Sequence, residues 1–350
     1  MKLGILGGGQ LGMMICQAAR KNNIDTIIYS DSLDSPAVHF SNNHFISDYN
    51  DLSKIDEFIN ECDVITYEFE NIPYETLNHI NKKLNVFPSP SVNNIIQDRL
   101  TEKNFINKLD IDTVPFLELS NKKELSKIDE DFFPAILKTR RMGYDGKGQS
   151  IINDLRSLKN IEQDIYILEK KIDLKQEISV ITVRYQDESL FSYLPIDNTH
   201  KDQILFKSIS PALINKDIKL KALMWSEKII KSLDYIGVIC VEFFIDKNDK
   251  LYVNEIAPRV HNSGHLTIES YNISQFESHI RAVCNLEKIE PKLQKEAEML
   301  NILGSDIGQI ALTVAVAVFA PQMVGALTGM GMNATLARIV VGVGTSLVMG

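Results

Sequence analysis

Apolar and polar positions follow two different periods along the first hundred residues. Residues 3–6, 26–29 and 64–67 are short apolar runs, whereas residues 11–20 and 52–60 have the spacing of helices that bury one face. Strands that alternate with helices form parallel sheets, because each helix returns the chain to the edge where the next strand begins. The pattern therefore predicts a doubly wound α/β domain that ends near residue 97.

Beyond residue 97 the strands and helices no longer alternate regularly, which is typical of an α+β domain. The spacing predicts helices over residues 97–108 and 218–233, and a third helix that Ser274 and Glu277 open as a capping box. The predicted strands are residues 135–139, 149–153, 165–169, 178–185, 190–195, 237–246 and 251–256.

Composition excludes several classes of protein. The 350 residues are 44% hydrophobic and 24% charged, which is ordinary for a soluble protein of two or three domains. A net charge of −9 argues against a nucleic-acid-binding surface. The four cysteines form no C-x-x-C pair, so the sequence predicts a reducing, cytoplasmic location without structural disulfides or zinc.

The first glycine-rich segment lies between a predicted strand and a predicted helix. Gly7, Gly9 and Gly12 have the spacing of a turn that lets the backbone approach an anion at a helix N-terminus. Asp31 follows the next strand, as in a dinucleotide-binding fold. Two interpretations stay open: the glycines admit a phosphate-bearing ligand, or they serve packing alone.

A second glycine-rich segment, residues 143–148, joins two predicted strands. Its backbone amides are suited to close over phosphates, and Lys138 and Lys147 would share the negative charge of a triphosphate. Glu169 and Glu177, farther along, are candidates to receive the ribose or the amino group of a nucleotide. The alternative is an ordinary flexible hairpin.

The strands at 237–246 and 251–256 predict a hairpin with two facing carboxylates. If residues 247–250 form the loop, Asp246 pairs with Leu251, and Glu242 then lies opposite Glu255. Two ionised carboxylates at that separation need a cation between them, and oxygen ligands favour Mg²⁺ over zinc. The alternative is a solvated pair of acids on an exposed face.

A turn-rich segment, residues 254–265, follows the second strand and carries several groups suited to catalysis. Arg259 is suited to hold an anion through its two-pronged guanidinium, and His261 to position or protonate that anion. Such a concentration of charge where a strand ends predicts a functional loop.

Taken together, these segments resemble the ATP-grasp superfamily and, within it, the N5-carboxyaminoimidazole ribonucleotide synthetases. The resemblance runs from residue 1 to about 306. The motifs that carry it are Gly7-Gly8-Gly9-Gln10-Leu11-Gly12, Thr66-Tyr67-Glu68-Phe69-Glu70-Asn71, Asp98-Arg99, residues 143–149, Glu242 and residues 254–265.

This resemblance implies a fold and a reaction. The fold would comprise a Rossmann-like parallel-sheet domain at 1–97, an ATP-grasp domain at 98–290 with a lid at about 115–173, and the start of a C-terminal domain at 291–306. The reaction would phosphorylate bicarbonate with ATP to carboxyphosphate and then carboxylate the exocyclic amine of 5-aminoimidazole ribonucleotide. The resemblance further implies Mg²⁺, with Mn²⁺ as an alternative, and a homodimer.

The resemblance also assigns roles to individual residues. The metal ligands would be Glu242 and Glu255, and Gln10, Leu11 and Glu68 would face the ribonucleotide. The residues around bicarbonate and the reacting amine would be Tyr144, Asp145, Arg259, His261 and Asn262. The ATP contacts would be Arg99, Lys138, Gly143, Tyr144, Asp145, Gly146, Lys147, Gly148, Gln149, Glu169, Lys170, Lys171, Ile172, Glu177, His200, Asn254 and Glu255.

The C-terminal end departs from the family. From residue 305 to residue 350 only Asp306 and Arg338 are charged, and residues 307–337 carry no charge at all. Three interpretations stay open for residues 307–350: a foreign segment, an apolar hairpin that anchors to a membrane or a partner, and a divergent packed domain.

Three other functions compete with the leading one. They are another ATP-grasp ligase or transformylase, a chain with an altered tail that binds nucleotide with little or no activity, and an NAD-dependent oxidoreductase. The oxidoreductase leaves Glu242, Glu255 and the second glycine-rich segment without a role.

Overall fold

The computed structural model describes residues 1–119, 128–143, 148–158 and 166–302. Predictions for Tyr144, Asp145, Gly146 and Lys147, and those for the tail at 307–350, concern residues outside these ranges. Among the residues described, no helix is both long enough and apolar enough to span a bilayer.

A five-stranded parallel sheet forms the N-terminal part, as the alternating pattern predicts. Its elements are β1 (Lys2–Leu6), α1 (Gln10–Lys21), β2 (Asp25–Ser30), β3 (Asn43–Ile46), α2 (Leu52–Ile59), β4 (Val64–Tyr67), α3 (Tyr74–Asn81) and β5 (Val86–Phe87). The strand order is β3-β2-β1-β4-β5, and all four pairings are parallel. Because β1 and β4 are neighbours, Leu6 pairs with Tyr67, and the segments that follow these two residues lie side by side.

Two helices connect this sheet to the rest of the chain: α4 (Pro90–Ile96) and α5 (Arg99–Lys108). Asp98 caps α5, since its carboxylate accepts hydrogen bonds from the backbone N–H groups of Leu100 and Thr101 at 3.1 Å. Helix α5 is unusual because it buries Glu102 and Lys103. Charged side chains are rarely buried without partners, so these two mark the helix as part of a polar site.

A four-stranded antiparallel sheet follows α5, within the predicted lid. Its strands are β6 (Phe116–Leu119), β7 (Ala135–Thr139), β8 (Gln149–Ile152) and β9 (Tyr166–Lys170), in the order β6-β9-β7-β8. A small apolar core that includes Leu137 and Leu168 lies on one face. Lys138 and Glu169, next to these core residues in sequence, therefore point to the opposite face.

The largest sheet has seven strands and forms the centre of the ATP-grasp part. Its strands are β10 (Leu174–Arg184), β11 (Leu190–Ser192), β12 (Ile196–Lys201), β13 (Ile204–Ser210), β14 (Gly237–Asp246), β15 (Leu251–Ala257) and β16 (Ala297–Leu300). The order is β15-β14-β10-β12-β13-β16, with β11 paired to β10. The accompanying helices are α6 (Lys216–Ser232), α7 (Thr267–Ser270) and α8 (Gln275–Val283).

The two faces of this sheet differ in chemistry. Val241 and Phe243 of β14 pack in an apolar core with α6, where Phe243 stacks on Trp225 at a centroid distance of 6.5 Å. Strand residues alternate between faces, so Glu242 points to the opposite face. That face carries the polar groups of the candidate site.

The hairpin of β14 and β15 has the expected carboxylate pair but a different turn. Ile245, not Asp246, pairs with Leu251, so the predicted register at the turn is wrong by one residue. A β-bulge between Glu242 and Phe243 compensates, because Asn254 is the extra residue on β15. Beyond the bulge, Glu242 pairs with Glu255 as predicted.

Most other predicted elements agree with the structure to within a few residues. The hydroxyl of Ser274 accepts a hydrogen bond from the backbone N–H of Glu277 at 3.2 Å and opens α8 as predicted. The pattern gave no signal for β3, β5, β6, β12, β13 or β16, which are short or only partly apolar. The fold class, a parallel-sheet domain followed by antiparallel sheets and helices, is confirmed.

Candidate active site

An arginine and a histidine hold the paired carboxylates of the β14–β15 hairpin. Arg99 Nη1 donates to Glu255 Oε2 at 2.8 Å, and His261 Nε2 lies 2.9 Å from Glu242 Oε1. Burial alone would raise the pKa of Glu255, but Arg99 outweighs it and lowers the pKa to about 2. This carboxylate is therefore ionised and ready to bind a cation at neutral pH.

The donor set fits the predicted metal. Beside Glu255, the side-chain oxygen of Asn254 is buried and accepts no hydrogen bond from the described residues. Two carboxylates and one amide oxygen are hard ligands of the kind that Mg²⁺ prefers. A cluster of three or more acidic, histidine or cysteine ligands does not occur in the described ranges, so water or substrate oxygens would complete the coordination.

A chain of buried hydrogen bonds supports His261 from behind. Its Nδ1 lies 2.8 Å from the Ser263 hydroxyl, which lies 2.8 Å from the Ser179 hydroxyl of β10. Asn198 of β12 donates to Ser179 at 2.9 Å. The side chain of Gln275 also accepts from the His261 backbone N–H at 2.9 Å. The imidazole is therefore positioned by three separate elements.

Glu169 has a different environment from the one predicted. Its carboxylate is only 1% exposed and lies between two lysines, 2.8 Å from Lys138 Nζ and 3.1 Å from Lys103 Nζ. Burial would raise the pKa of Glu169, but the two lysines lower it to about 2. The carboxylate is thus paired with two lysines in this structure, and its contact with a nucleotide stays a prediction.

The other predicted ATP contacts lie around the same face. Glu177 Oε2 of β10 is 2.9 Å from His200 Nδ1 of β12. Burial would lower the pKa of His200, but the Glu177 carboxylate outweighs it and raises the pKa. Arg99 Nη2 donates to the backbone oxygen of Gly143 at 3.4 Å, and the side chain of Gln149 donates to Gln203. Gly148, Lys170, Lys171 and Ile172 lie at the ends of β8 and β9, partly exposed or exposed.

The first glycine-rich segment surrounds a carboxylate of the protein itself. Glu68 accepts the backbone N–H groups of Gly9 at 2.6 Å and Gly12 at 3.2 Å. Gly7 has a φ of +109°, and a Cβ there would lie 2.4 Å from Glu68 Cγ. The glycines thus admit Glu68 to the start of α1, where the pyrophosphate of a dinucleotide would otherwise bind. This arrangement disfavours the NAD-dependent alternative.

The predicted substrate contacts in this region differ in accessibility. Gln10 is exposed at the first turn of α1, whereas Leu11 is partly buried and packs against an apolar core. Burial raises the pKa of Glu68 above its usual value, although the two amides counteract the effect. Among the described residues, no cationic side chain makes a hydrogen bond to Glu68.

Arg259 crosses from the ATP-grasp part to the N-terminal part. Its Nε donates to Glu70 Oε2 at 2.6 Å, and its Nη1 donates to the backbone oxygen of Val260 at 3.2 Å. Glu70 and Val260 therefore accept hydrogen bonds from three of the five N–H donors of the guanidinium, and two donors make no hydrogen bond to the described residues. Asn262 is partly exposed in a short 3-10 turn next to His261.

Sequence reasoning missed several residues that contact the predicted ones. Glu102 of α5 is buried, and it accepts the backbone N–H of Ile256 at 2.6 Å. Burial and the neighbouring Glu255 raise the pKa of Glu102 to about 8. Lys103, on the same helix, contacts Glu169. The signal in the sequence that could have found these two residues is the composition of α5. This helix has so few apolar residues that its buried face must include charged side chains.

His279 of α8 joins the two domains and was also missed. Its Nε2 lies 2.8 Å from the Thr66 hydroxyl of β4, and its Nδ1 accepts the backbone N–H of Val238 of β14 at 3.1 Å. The ring is fully buried, and burial lowers its pKa to about 4. A neutral imidazole therefore connects the strand that precedes Glu68 to the strand that carries Glu242.

Comparison with known proteins agrees with this geometry. Residues 1–97 match the family described as ribonucleotide synthetase preATP-grasp domain, and residues 104–276 match the ATP-grasp domain family. The N5-carboxyaminoimidazole ribonucleotide synthase of Staphylococcus aureus strain MRSA252 is 41% identical over 312 residues, which is 87% of this chain and 83% of that protein.

Solved structures show the same similarity. The Staphylococcus aureus N5-carboxyaminoimidazole synthetase complexed with ADP has a TM-score of 0.85 and 39% identity, covering 90% of this chain and 85% of that one. The Aspergillus clavatus synthase in complex with ADP and 5-aminoimidazole ribonucleotide has a TM-score of 0.81 and 29% identity, covering 89% and 86%. The matches to both domains, together with the identity across most of the sequence, show that this chain belongs to the N5-carboxyaminoimidazole ribonucleotide synthase family of ATP-grasp proteins.

Proposed function

We propose that this chain carboxylates 5-aminoimidazole ribonucleotide to N5-carboxyaminoimidazole ribonucleotide, with ATP and bicarbonate as co-substrates. The observation that carries the proposal is the pair formed by Glu242 and Glu255, held by His261 and Arg99, next to the Asn254 side-chain oxygen that accepts no hydrogen bond from the described residues. Such a site is suited to phosphoryl transfer, which depends on positioning and charge neutralisation more than on a protein nucleophile.

The reaction has two balanced steps. A bicarbonate oxygen attacks the γ-phosphorus of ATP, the bond to the β-phosphate oxygen breaks, and ADP leaves with carboxyphosphate formed. The exocyclic amine of the ribonucleotide then attacks the carboxyl carbon of carboxyphosphate, phosphate leaves, and the amine loses a proton. Bound at Glu242 and Glu255, Mg²⁺ would neutralise phosphate charge; we infer this metal from the donor set, with Mn²⁺ as an alternative.

Other side chains of this protein would bind the nucleotide, the bicarbonate and the ribonucleotide. Lys138 and Arg99 supply positive charge on the nucleotide side, and Glu177 with His200 forms a polar pair on the same sheet face. The exposed part of the Arg259 guanidinium is suited to hold bicarbonate, and His261 and Asn262 lie next to it in sequence. Gln10, Leu11 and Glu68 would face the ribonucleotide, while Tyr144 and Asp145 keep the roles that the family resemblance implies.

Two further properties belong to the proposal. We infer a homodimer and a cytoplasmic location, on the precedent of the family and the absence of paired cysteines among the described residues. Both can be checked directly, by light scattering of the purified protein and by fractionation of cells.

The experiment that tests the proposed function is ADP release by the purified protein. ADP would be measured with ATP and bicarbonate, in the presence and absence of 5-aminoimidazole ribonucleotide. We expect stimulation by the ribonucleotide in the wild type and none in Glu255→Ala. ATP binding without turnover in the wild type would instead identify the chain as a nucleotide-binding protein with little activity. Hydride transfer to NAD would contradict both.

A further inference from the structure

Gln275 is a buried amide to which the proposed chemistry assigns no role. It is the first residue of α8 and is 0% exposed. Its Oε1 accepts the backbone N–H of His261 at 2.9 Å, and its Nε2 donates to the backbone oxygen of the same residue at 2.6 Å. Paired residues of an antiparallel sheet exchange two bonds in the same way. Two bonds to one residue fix the orientation of its backbone as well as its position.

A second connection joins Gln275 to the other end of the turn that follows His261. The backbone N–H of Gln275 donates to the Thr267 hydroxyl at 2.9 Å, and this hydroxyl donates to the backbone oxygen of Gly264 at 2.6 Å. Thr267 is buried as completely as Gln275. The start of α8 therefore holds the 3-10 turn of residues 262–264 at both ends.

Gly264 leaves room for the Gln275 amide. A Cβ at this position would lie 2.4 Å from Gln275 Oε1 and 2.3 Å from Ile181 Cδ1 of β10. The φ of Gly264 lies outside the left-handed region, so the backbone conformation does not require a glycine here. The glycine instead permits a close approach, which indicates that the turn is adapted to the buried amide and to β10.

The imidazole of His261 depends on this backbone. Its Nε2 lies 2.9 Å from Glu242 Oε1, and its Nδ1 lies 2.8 Å from the hydroxyl of Ser263, which belongs to the held turn. We propose that Gln275 is a positioning residue for carboxylation: it holds the backbone of His261 so that the imidazole stays at Glu242, beside the reacting groups. The inference rests on the proposed function, in which His261 lies next to bicarbonate and the reacting amine. Gln275 is enclosed and would contact neither substrate.

A purely structural role for Gln275 leads to different expectations. If the amide only stabilised the fold, its loss would lower the melting temperature, but the molecules that remain folded would turn over at the normal rate. Ser278 of the same helix provides a matched control. It is equally buried, and its hydroxyl lies 2.8 Å from the Tyr193 hydroxyl, so it joins α8 to Tyr193 instead of to His261. Ser278→Ala therefore removes a buried hydrogen bond of α8 without disturbing the turn.

The first test is the rate of ADP release by Gln275→Met with ATP, bicarbonate and 5-aminoimidazole ribonucleotide. This variant keeps a side chain of similar length and loses both bonds to His261. We expect kcat to fall by ~10–100-fold, because a displacement of about 1 Å in an active-site group is enough for a loss of this size. The dissociation constant of ADP should stay within ~2-fold of the wild type, since the bonds of Gln275 go to the turn and not to the predicted ATP contacts. Ser278→Ala should keep the wild-type kcat even if its melting temperature falls.

A double variant tests whether the effect passes through His261. Substitutions that act through the same group are not additive. In a His261→Ala background, Gln275→Met should therefore lower kcat by at most ~3-fold further. A full additional loss of ~10-fold or more would show that Gln275 acts on another group and would overturn the inference.

Hydrogen exchange provides a test that does not depend on turnover. The amides of residues 259–265 would be followed by mass spectrometry, because the His261 N–H is bonded to Gln275. We expect Gln275→Met to exchange ~10-fold or more faster over this segment, and Ser278→Ala to match the wild type. If Gln275→Met does not fold, Gln275→Asn takes its place in every measurement, since its side chain is too short to keep both bonds.

Two results would contradict the role of Gln275 directly: unchanged exchange over residues 259–265, or a wild-type kcat in the folded variant. An absence of ribonucleotide-stimulated ADP release in the wild type would instead contradict the proposed function. In that case the exchange comparison would still decide whether Gln275 holds the backbone of His261.

Discussion

The two domains hold their functional carboxylates by different means. In the ATP-grasp part, Glu255 contacts Arg99, Glu242 contacts His261, and Glu169 contacts two lysines. In the N-terminal part, Glu68 accepts two backbone N–H groups from the first glycine-rich segment. Side-chain cations and backbone amides both satisfy a carboxylate, but only the cations bring a full charge.

The pKa values reflect this difference. Counter-ions lower the pKa of Glu255 and Glu169 to about 2 despite burial, whereas burial raises the pKa of Glu68. The ATP-grasp part thus holds its carboxylates in the ionised form that the proposed binding of a metal and a polyphosphate requires. In the N-terminal part, Glu68 is held by backbone hydrogen bonds instead.

The largest effect is expected when one of the ionised carboxylates of the ATP-grasp part is removed. Glu255→Ala removes one of the two facing carboxylates and leaves Arg99 without its counter-ion. We expect the rate of ADP release to fall by ~10²–10³-fold, the size of effect typical for loss of one electrostatic group in an active site. Glu269→Ala, which removes an exposed glutamate of α7, is the control and should keep full activity. Comparable losses in the two variants would contradict the contrast.

The next largest effect concerns His279, the buried histidine that connects the two domains. Burial lowers the pKa of His279 to about 4 from an ordinary 6.5, so the folded protein resists protonation that the unfolded chain accepts. This contribution to stability is present above pH 6.5 and is lost as the pH falls towards 4. We expect acidification over that interval to cost the wild type about 3 kcal/mol more than His279→Gln, which cannot titrate.

Urea unfolding at pH 7 and pH 4 would measure this difference. Protonation would place a hydrogen on Nδ1, which then no longer accepts the backbone N–H of Val238, whereas Nε2 keeps its hydrogen bond to Thr66. Equal dependence of the unfolding free energy on pH in both proteins would show that His279 is not the acid-sensitive joint.

A smaller effect should follow from disturbing the amide-held carboxylate. Gly7→Ala places a Cβ 2.4 Å from Glu68 Cγ, at a φ of +109° that side chains rarely adopt. We expect a loss of about 1–3 kcal/mol in unfolding free energy, as for other overpacked sites. The KM for the ribonucleotide should rise while the dissociation constant of ADP stays unchanged. Lys21→Ala, at the exposed end of α1, is the control.

The smallest effect is expected from removing only the charge of Glu68. In Glu68→Gln the amide oxygen still accepts one backbone N–H, but the amide nitrogen cannot accept the other, so the unfolding free energy should fall by about 1 kcal/mol. ADP release without ribonucleotide should match the wild type, and the KM for the ribonucleotide should be the parameter that changes. A large loss of ATP turnover in this variant would show that the two domains do not divide the work as proposed.

The sequence predicted the site to a different extent in the two domains. The Glu242–Glu255 pair could be predicted because strand alternation is local and the hairpin is short. The predicted register was wrong by one residue at the turn, and the bulge at Asn254 restores it at the two carboxylates. That Glu68 occupies the first glycine-rich segment could not be predicted, because a glycine spacing shows that some group approaches the backbone but not which group.

What the sequence by itself determined are features that depend on neighbouring residues: the alternation of strands and helices, the facing carboxylates, and motifs specific enough to identify the family. Only the tertiary structure decided which distant groups meet. Gly9 and Glu68 are 59 residues apart, Lys103 and Asn254 are 151 apart, and Thr66 and His279 are 213 apart. No periodicity encodes these pairs, because a buried charge or imidazole acquires its partners only when separate elements pack together, and those partners then set its pKa.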